Sequence, residues 1–267
     1  MSDPRVAYCR DHNVHHLFEL LAAKLLAERP SNPFAYLRAE LEGIEESEKR
    51  KGEYDPTQVK VSEELRNVTL AMLGLDNAGK TALLAAMGGE HDANTTPTVG
   101  FDPKEFQTDT HSIKIFDLGG GGNFRGIWHH YFHDCHGFFF VVDASDASKL
   151  EEARGSLHDI VSHPYMHGKP IVIVVNKVDL LKNVDAQVSD VLKALDVSPD
   201  SLSASHTVIK TCAIRSDDSA NDQEIESGIE WMIGAVDASY DTLAQRVVDD
   251  TKQIKEEKKK RLAALAL

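Results

Sequence analysis

Gly74-Leu75-Asp76-Asn77-Ala78-Gly79-Lys80-Thr81 follows directly on an apolar run, Asn67–Leu73, and leads into a second apolar stretch, Thr81–Ala86. The octapeptide has the form GxxxxGK[ST]. Its glycines let the backbone close into a cradle whose N–H groups face phosphate oxygens. Lys80 adds a point charge for the β/γ-phosphates, and Thr81 a hydroxyl for Mg²⁺. The surroundings, a strand before and a helix after, are those this loop requires. The stretch therefore predicts a nucleoside triphosphate site but leaves the base open.

Outward from this loop the chain has the texture of an α/β domain. Strands are predicted at Asn67–Leu73, Lys104–Thr108, Ser112–Phe116, Gly137–Val142, Ile171–Val175 and Thr207–Thr211. The runs at 137–142 and 171–175 are apolar throughout, as strands of a parallel sheet covered on both faces should be. Amphipathic stretches alternate with the strands, which implies a doubly wound α/β sheet over residues 66–235. Residues 236–267 form a helical extension, and Gly228–Leu267 reads as one long helix ending in Lys258-Lys259-Lys260-Arg261. That basic end is either a solvated helix terminus or a contact for an anionic surface.

Three further motifs stand at strand ends. Asn176-Lys177-Val178-Asp179 follows Ile171–Val175. A carboxylate at Asp179 can accept from both N1–H and the exocyclic amine of guanine, whereas adenine would leave it unpaired. Together with the phosphate loop, this assigns guanine and a GTP/GDP cofactor. Asp117-Leu118-Gly119-Gly120 closes Ser112–Phe116. Asp117 suits Mg²⁺ binding from behind the direct ligands, and the Gly120 N–H can sense a γ-phosphate. Pro97-Thr98-Val99-Gly100-Phe101 places the Thr98 hydroxyl in a loop that would join Thr81 on Mg²⁺ when triphosphate is bound. After Thr207–Thr211, Cys212-Ala213 would present backbone to the guanine edge.

Composition removes other classes. Among 267 residues, 29 Lys and Arg face 43 Asp and Glu, a net charge of −14. A chain that acidic is not expected to bind nucleic acid, whose phosphates need a surplus of cations. Cys9, Cys135 and Cys212 are too scattered for a disulfide framework or a metal knuckle, which points to a reducing, cytoplasmic setting. No apolar stretch is long enough for a transmembrane segment, and no signal peptide is expected. His129 and His133 stand at i,i+4 in a segment expected to be helical, but lack the glutamate of a zinc-binding HExxH helix.

As a set, GLDNAGKT, PTVGF, FDLGG, FRGIWHHYF, VVDASD, NKVDL and TCA over residues 66–245 resemble the Arf family of small GTPases. Asp117–Gly121 as DLGGG, followed by Arg125-Gly126-Ile127-Trp128, is similar to the ciliary Arf-like-thirteen subfamily, as are His163-Pro164 and Tyr240-Asp241-Thr242-Leu243. The resemblance implies a molecular switch that hydrolyses GTP in the cilium or flagellum. It also implies that the GTP form promotes nucleotide exchange on a partner Arf-like GTPase. Ordinary Arf proteins carry Gln where this chain has Gly121, and that side chain orients the attacking water. Slow intrinsic hydrolysis is the expectation, unless another residue such as Asn123 substitutes. A long-lived GTP-bound scaffold is the competing reading.

Residues 1–51 read as two short helices. Val14, Leu17, Phe18, Leu21 and Leu25 form one stripe, and Phe34, Leu37, Leu41 and Ile44 the other. Asn32 is placed to cap the second helix and Pro33 to begin it. The segment resembles the docking and dimerisation module of cyclic-AMP-dependent kinase regulatory subunits. That implies a homodimer through residues 1–51, able to accept an amphipathic anchor helix. Packing of the hairpin on the GTPase is the alternative. Residues 52–65 read as a charged linker. Cys9 is either an acylation site, as the Arf-like-thirteen resemblance would allow, or simply packed or free.

Overall fold

The computed structural model describes residues 32–38, 41, 65–89, 95, 98, 100–108, 110–202, 204–213 and 219–265. The chain divides into two compact units, Met1–Ser62 and Glu63–Leu267. In the first unit, residues 33–38 are helical. Ala35 N–H donates to Asn32 Oδ1 at 3.1 Å, and Tyr36 N–H to the Asn32 carbonyl at 3.2 Å, so Asn32 caps as its side chain suggests. Phe34 is 82% exposed. The first-helix stripe, Cys9 and residues 52–64 of the linker lie outside the described residues.

The second unit runs β1 (Arg66–Leu73), α1 (Lys80–Met87), β2 (Phe101–Gln107), β3 (His111–Leu118), α2 (Gly122–Arg125), β4 (Gly137–Asp143) and α3 (Leu150–Ser162), then β5 (Ile171–Asn176), α4 (Val184–Ala194), α5 (Pro199–Leu202), β6 (His206–Thr211), α6 (Ser219–Asp237) and α7 (Tyr240–Leu265). Strand order is β2-β3-β1-β4-β5-β6. β1 pairs in parallel with β3 and β4, β4 with β5, and β5 with β6. Phe138, Phe140 and Val142 enter one core with Ala153, Leu157 and Ile160 of α3 and Val188 and Val191 of α4. Phe139 and Val141 enter the other with Ala82 and Leu83 of α1 and Ile225, Met232 and Val236 of α6. Alternate residues serve opposite cores, which is why β4 and β5 carry no polar face.

The doubly wound sheet stands, and two expectations change. The sheet is mixed, because β2 pairs antiparallel with β3 from Phe101↔Leu118 to Gln107↔Ser112. β2 is an edge strand and mostly exposed, so its start at Phe101 left no apolar run. The single helix from Gly228 is two helices. α6 ends where Asp237 accepts from Arg66 Nη1 at 2.6 Å and pairs with His111 Nε2 at 3.0 Å. α7 starts where the Tyr240 hydroxyl donates to the Asn67 carbonyl at 3.3 Å. Finally, FRGIWHHYF is not one helix but the end of α2 and 3₁₀ turns at Trp128–His130 and Phe132–Asp134. Trp128 and Phe132 are both buried in the α3-side core, and Trp128 Nε1 donates back to the Gly119 carbonyl at 2.9 Å, which holds the chain in tight turns.

The strand order reverses at β1, with β3 on one side and β4 on the other. Ligands of open α/β sheets bind outside the carboxyl ends of the strands at such a point. Every motif singled out from the sequence after a strand emerges at that edge.

Candidate functional site

The loop between β1 and α1 is shaped by backbone that other residues could not adopt. Gly74 has φ 137°, and a Cβ there would lie 2.2 Å from the Val141 carbonyl oxygen. Gly79 has φ 91°, with Asn176 Nδ2 at 2.3 Å from the same hypothetical atom. Lys80 is 6% exposed and its Nζ donates to the Gly74 and Leu75 carbonyls at 3.0 and 2.8 Å. Burial pushes this ammonium down to about 8, against the raising pull of Asp117 and Asp76. The lysine lies along the loop it is meant to serve.

Beside it, Thr81, Thr98 and Asp117 converge. Thr81 Oγ1 donates to Asp117 Oδ2 at 2.6 Å, Thr98 Oγ1 to the same oxygen at 3.1 Å, and the two hydroxyls lie 2.9 Å apart. Asp117 is 1% exposed, and its Oδ1 is buried with no hydrogen-bond partner among the described residues. Two hydroxyls and a carboxylate form a hard oxygen donor set of the kind Mg²⁺ takes, and the orphaned oxygen has acceptor capacity for water around such an ion. The cleft at this point has a volume of about 290 Å³ and is lined by Asp76, Asn77, Lys80, Thr95, Gly121 and Phe124 among others. The residues present fit a polyphosphate with its cation.

Asn176, at the end of β5, is 1% exposed. Its Nδ2 donates to the Ala78 carbonyl at 2.8 Å, and its Oδ1 accepts from Thr211 Oγ1 and Ala213 N–H at 3.1 Å each. It ties the phosphate loop, β5 and the loop after β6 into one wall. In the segment Cys212-Ala213, expected to present backbone to the guanine edge, the Ala213 N–H donates to Asn176 and Cys212 is buried beside it. Lys177 takes the left-handed conformation, φ 62°, and its Nζ pairs with Asp143 Oδ2 at 2.6 Å. Asp179 is exposed on the 3₁₀ turn Val178–Leu180, without a partner among the described residues. Its carboxylate is open to a ligand.

Gly119 N–H donates to the Gly100 carbonyl at 2.9 Å, joining the two loops that flank the cleft. A Cβ on Gly120 would fall 2.4 Å from Leu75 C, so only glycine lets this segment approach the phosphate loop. At Gly121 the backbone is ordinary, φ −62°, and a Cβ would meet only Phe124 Cδ2 at 3.5 Å. Sequence reasoning assigned Asp143 and Lys149 no role, and named Trp128 and Phe124 only as parts of a motif. Asp143 and Lys149 stand in or beside VVDASD, but their partners Lys177 and Asp76 are 34 and 73 residues away. No local signal announces such pairs.

A phosphate cradle at the end of β1, an oxygen cluster joining three loops, and NKVD at the end of β5 define a small guanine-nucleotide-binding protein of the P-loop class. Residues 57–236 match the ADP-ribosylation factor family, and residues 1–43 match a second model, that of the inactive adenylate kinase N-terminal segment. ADP-ribosylation factor-like protein 13B of Chlamydomonas reinhardtii is 36% identical over 192 residues, covering 72% of this chain and 36% of that protein. ADP-ribosylation factor-like protein 3 of the same organism is 31% identical over 167 residues, covering 62% of this chain and 89% of that protein. The Arl6 (BBS3) small GTPase of Trypanosoma brucei, solved with the nucleotide analogue GppNp, shares the fold. It matches with a TM-score of 0.53 at 22% identity, covering 67% of this chain and 99% of that one. This chain thus spans about a third of the length of its 13B relative. The chain belongs to the ADP-ribosylation factor family, whose members are small GTPases that bind and hydrolyse GTP.

Proposed function

We propose that this chain is a nucleotide switch with slow intrinsic hydrolysis, whose GTP-bound state acts by binding a partner. The observation that carries the reading is position 121: the cleft wall there ends in a glycine, Gly121, with no side chain to orient a water. In the bound state the loop Gly74–Thr81 and Lys80 hold the phosphates, with Leu75, Asp76, Asn77, Ala78 and Gly79 supplying backbone. Gly120 and Thr98 report the terminal phosphate. Asp179 accepts from the base, while Asn176, Lys177, Cys212 and Ala213 shape its pocket. Thr81 and Thr98 would hold Mg²⁺, backed by Asp117; when bound, that ion neutralises charge on the terminal phosphates.

The similarity of residues 117–128 to the ciliary Arf-like-thirteen subfamily, and the 36% identity to protein 13B, support the finer reading. The protein works in the cilium or flagellum, and its GTP form promotes exchange on another Arf-like GTPase. Residues 1–51 would bring two copies together and receive an anchor helix. Single-turnover hydrolysis of bound GTP tests the central claim. A Cβ at position 121 meets only Phe124 Cδ2 at 3.5 Å, and Gly121→Gln should raise the rate at least tenfold. A wild-type rate equal to that of a Gln-bearing family member would overturn it. The second reading, a long-lived GTP-bound scaffold, is favoured by the same glycine; it is distinguished by a rate that no activating protein raises.

A further inference from the structure

Asp76 lines the phosphate cleft with Lys80, Thr81 and Thr98, and its carboxylate is near enough to the Lys80 ammonium for each charge to favour the other. A negative charge there repels each phosphate in turn, and a triphosphate more than a diphosphate. The chain answers this with Lys149, which follows the carboxyl end of β4. Its Nζ lies 3.0 Å from Asp76 Oδ2 and 3.4 Å from the Asp76 carbonyl oxygen. The placement is built. Lys149 closes the 3₁₀ turn Ala147–Lys149, whose start is held by Asp146 Oδ1 accepting from Ser148 N–H at 3.2 Å and Ser148 Oγ at 2.5 Å. It is also locally unfavourable, because a cation at the N-terminus of α3 opposes the helix dipole that Glu151 and Glu152 complement. A rule broken locally calls for a gain elsewhere.

Fold stability is not that gain. The two side chains are 33% and 57% exposed, and solvent-exposed pairs contribute little. The hydrogen bond from Lys149 is, however, the chief reason the Asp76 carboxyl is held below its ordinary range. We propose that Lys149 is a positioning residue that neutralises Asp76 at the cleft wall and thereby sets the preference for guanosine triphosphate over diphosphate. The proposal rests on the nucleotide-switch reading.

The test is to measure the affinities of the full chain for GppNp and GDP in magnesium buffer at low salt. Lys149→Met should lower the triphosphate-to-diphosphate preference about fivefold, with an unchanged melting temperature, and the effect should shrink at high ionic strength. Lys149→Arg should keep the wild-type ratio, and Asp76→Asn in the Lys149→Met background should restore it. An unchanged ratio, an equal loss for both nucleotides, or failure of Asp76→Asn to restore the preference overturns the proposal. Absence of guanosine phosphate binding by the wild-type chain would instead overturn the switch reading itself.

Discussion

Two adjacent glycines in the switch loop do different things. At position 120 an added Cβ meets backbone, Leu75 C at 2.4 Å and the Gly74 oxygen at 2.5 Å, and backbone cannot step aside cheaply. At position 121 the nearest atom is Phe124 Cδ2 at 3.5 Å, an ordinary contact. Gly120→Ala should therefore weaken GDP binding by at least a hundredfold, while Gly121→Ala changes it less than threefold; titration with a fluorescent nucleotide compares them. Lys80 gives a pH signature. Its amine is lowered from 10.5 to about 8 by burial, so the unliganded folded chain holds fewer protons than the unfolded chain between those values. Stability from this group thus rises with pH across that interval, and the cost of burying the charge is fully present below it. Phosphate needs the ammonium. GDP binding at pH 8.5 should accordingly take up protons, detectable as calorimetric heats that differ between buffers of different ionisation enthalpy.

Among the elements, α7 is fastened by individual side chains. Arg246 donates through Nη1 to the His167 carbonyl at 2.7 Å and through Nη2 to the Pro164 carbonyl at 2.6 Å, fastening the helix to the turn before β5. Thr251 Oγ1 adds a bond to Asp134 Oδ1 at 3.1 Å. Charge-assisted bonds of this kind contribute about 1–2 kcal/mol when partly exposed. Arg246→Ala should lower the melting temperature by about 3–6 °C in a thermal scan of the GDP-bound protein. The same helix shows why an element can be misread. Its apolar spacing continues smoothly from α6, so the break at Ala238-Ser239 has no proline or glycine to announce it. The break is placed by Asp237, which binds His111 and Arg66 at the foot of the sheet.

For the whole molecule, the N-terminal unit and the GTPase unit make separate claims. The GTPase unit has two cores and a closed set of strand pairings up to its edges. The described helix of the N-terminal unit leaves Phe34 exposed, a side chain that a second copy would cover. On the proposed pairing of residues 1–51, the 267-residue chain should sediment as a dimer, and Leu21→Asp should convert it to monomer while leaving GDP affinity unchanged. A dimer that survives the substitution would place the contact elsewhere. The strand framework and the nucleotide motifs were legible because they rest on local rules: apolar runs of strand length, glycines at obligatory turns, and motif residues at strand ends. The contacts of Asp143 and Lys149 were not, since each is decided by a partner far along the chain, 34 and 73 residues away.

The order of residues alone determined that a phosphate loop, an Asp-Leu-Gly-Gly segment and an Asn-Lys-Val-Asp segment would stand at the ends of strands, because hydrophobic periodicity and glycine chemistry act over a few neighbours. Tertiary structure alone decided that β2 turns back antiparallel, that α6 and α7 part at Asp237, that the Asn176 amide links the Ala78 carbonyl to Thr211 and Ala213, and that Lys149 reaches Asp76. Those outcomes depend on which groups the sheet brings within hydrogen-bonding distance, and sequence separation carries no record of that distance.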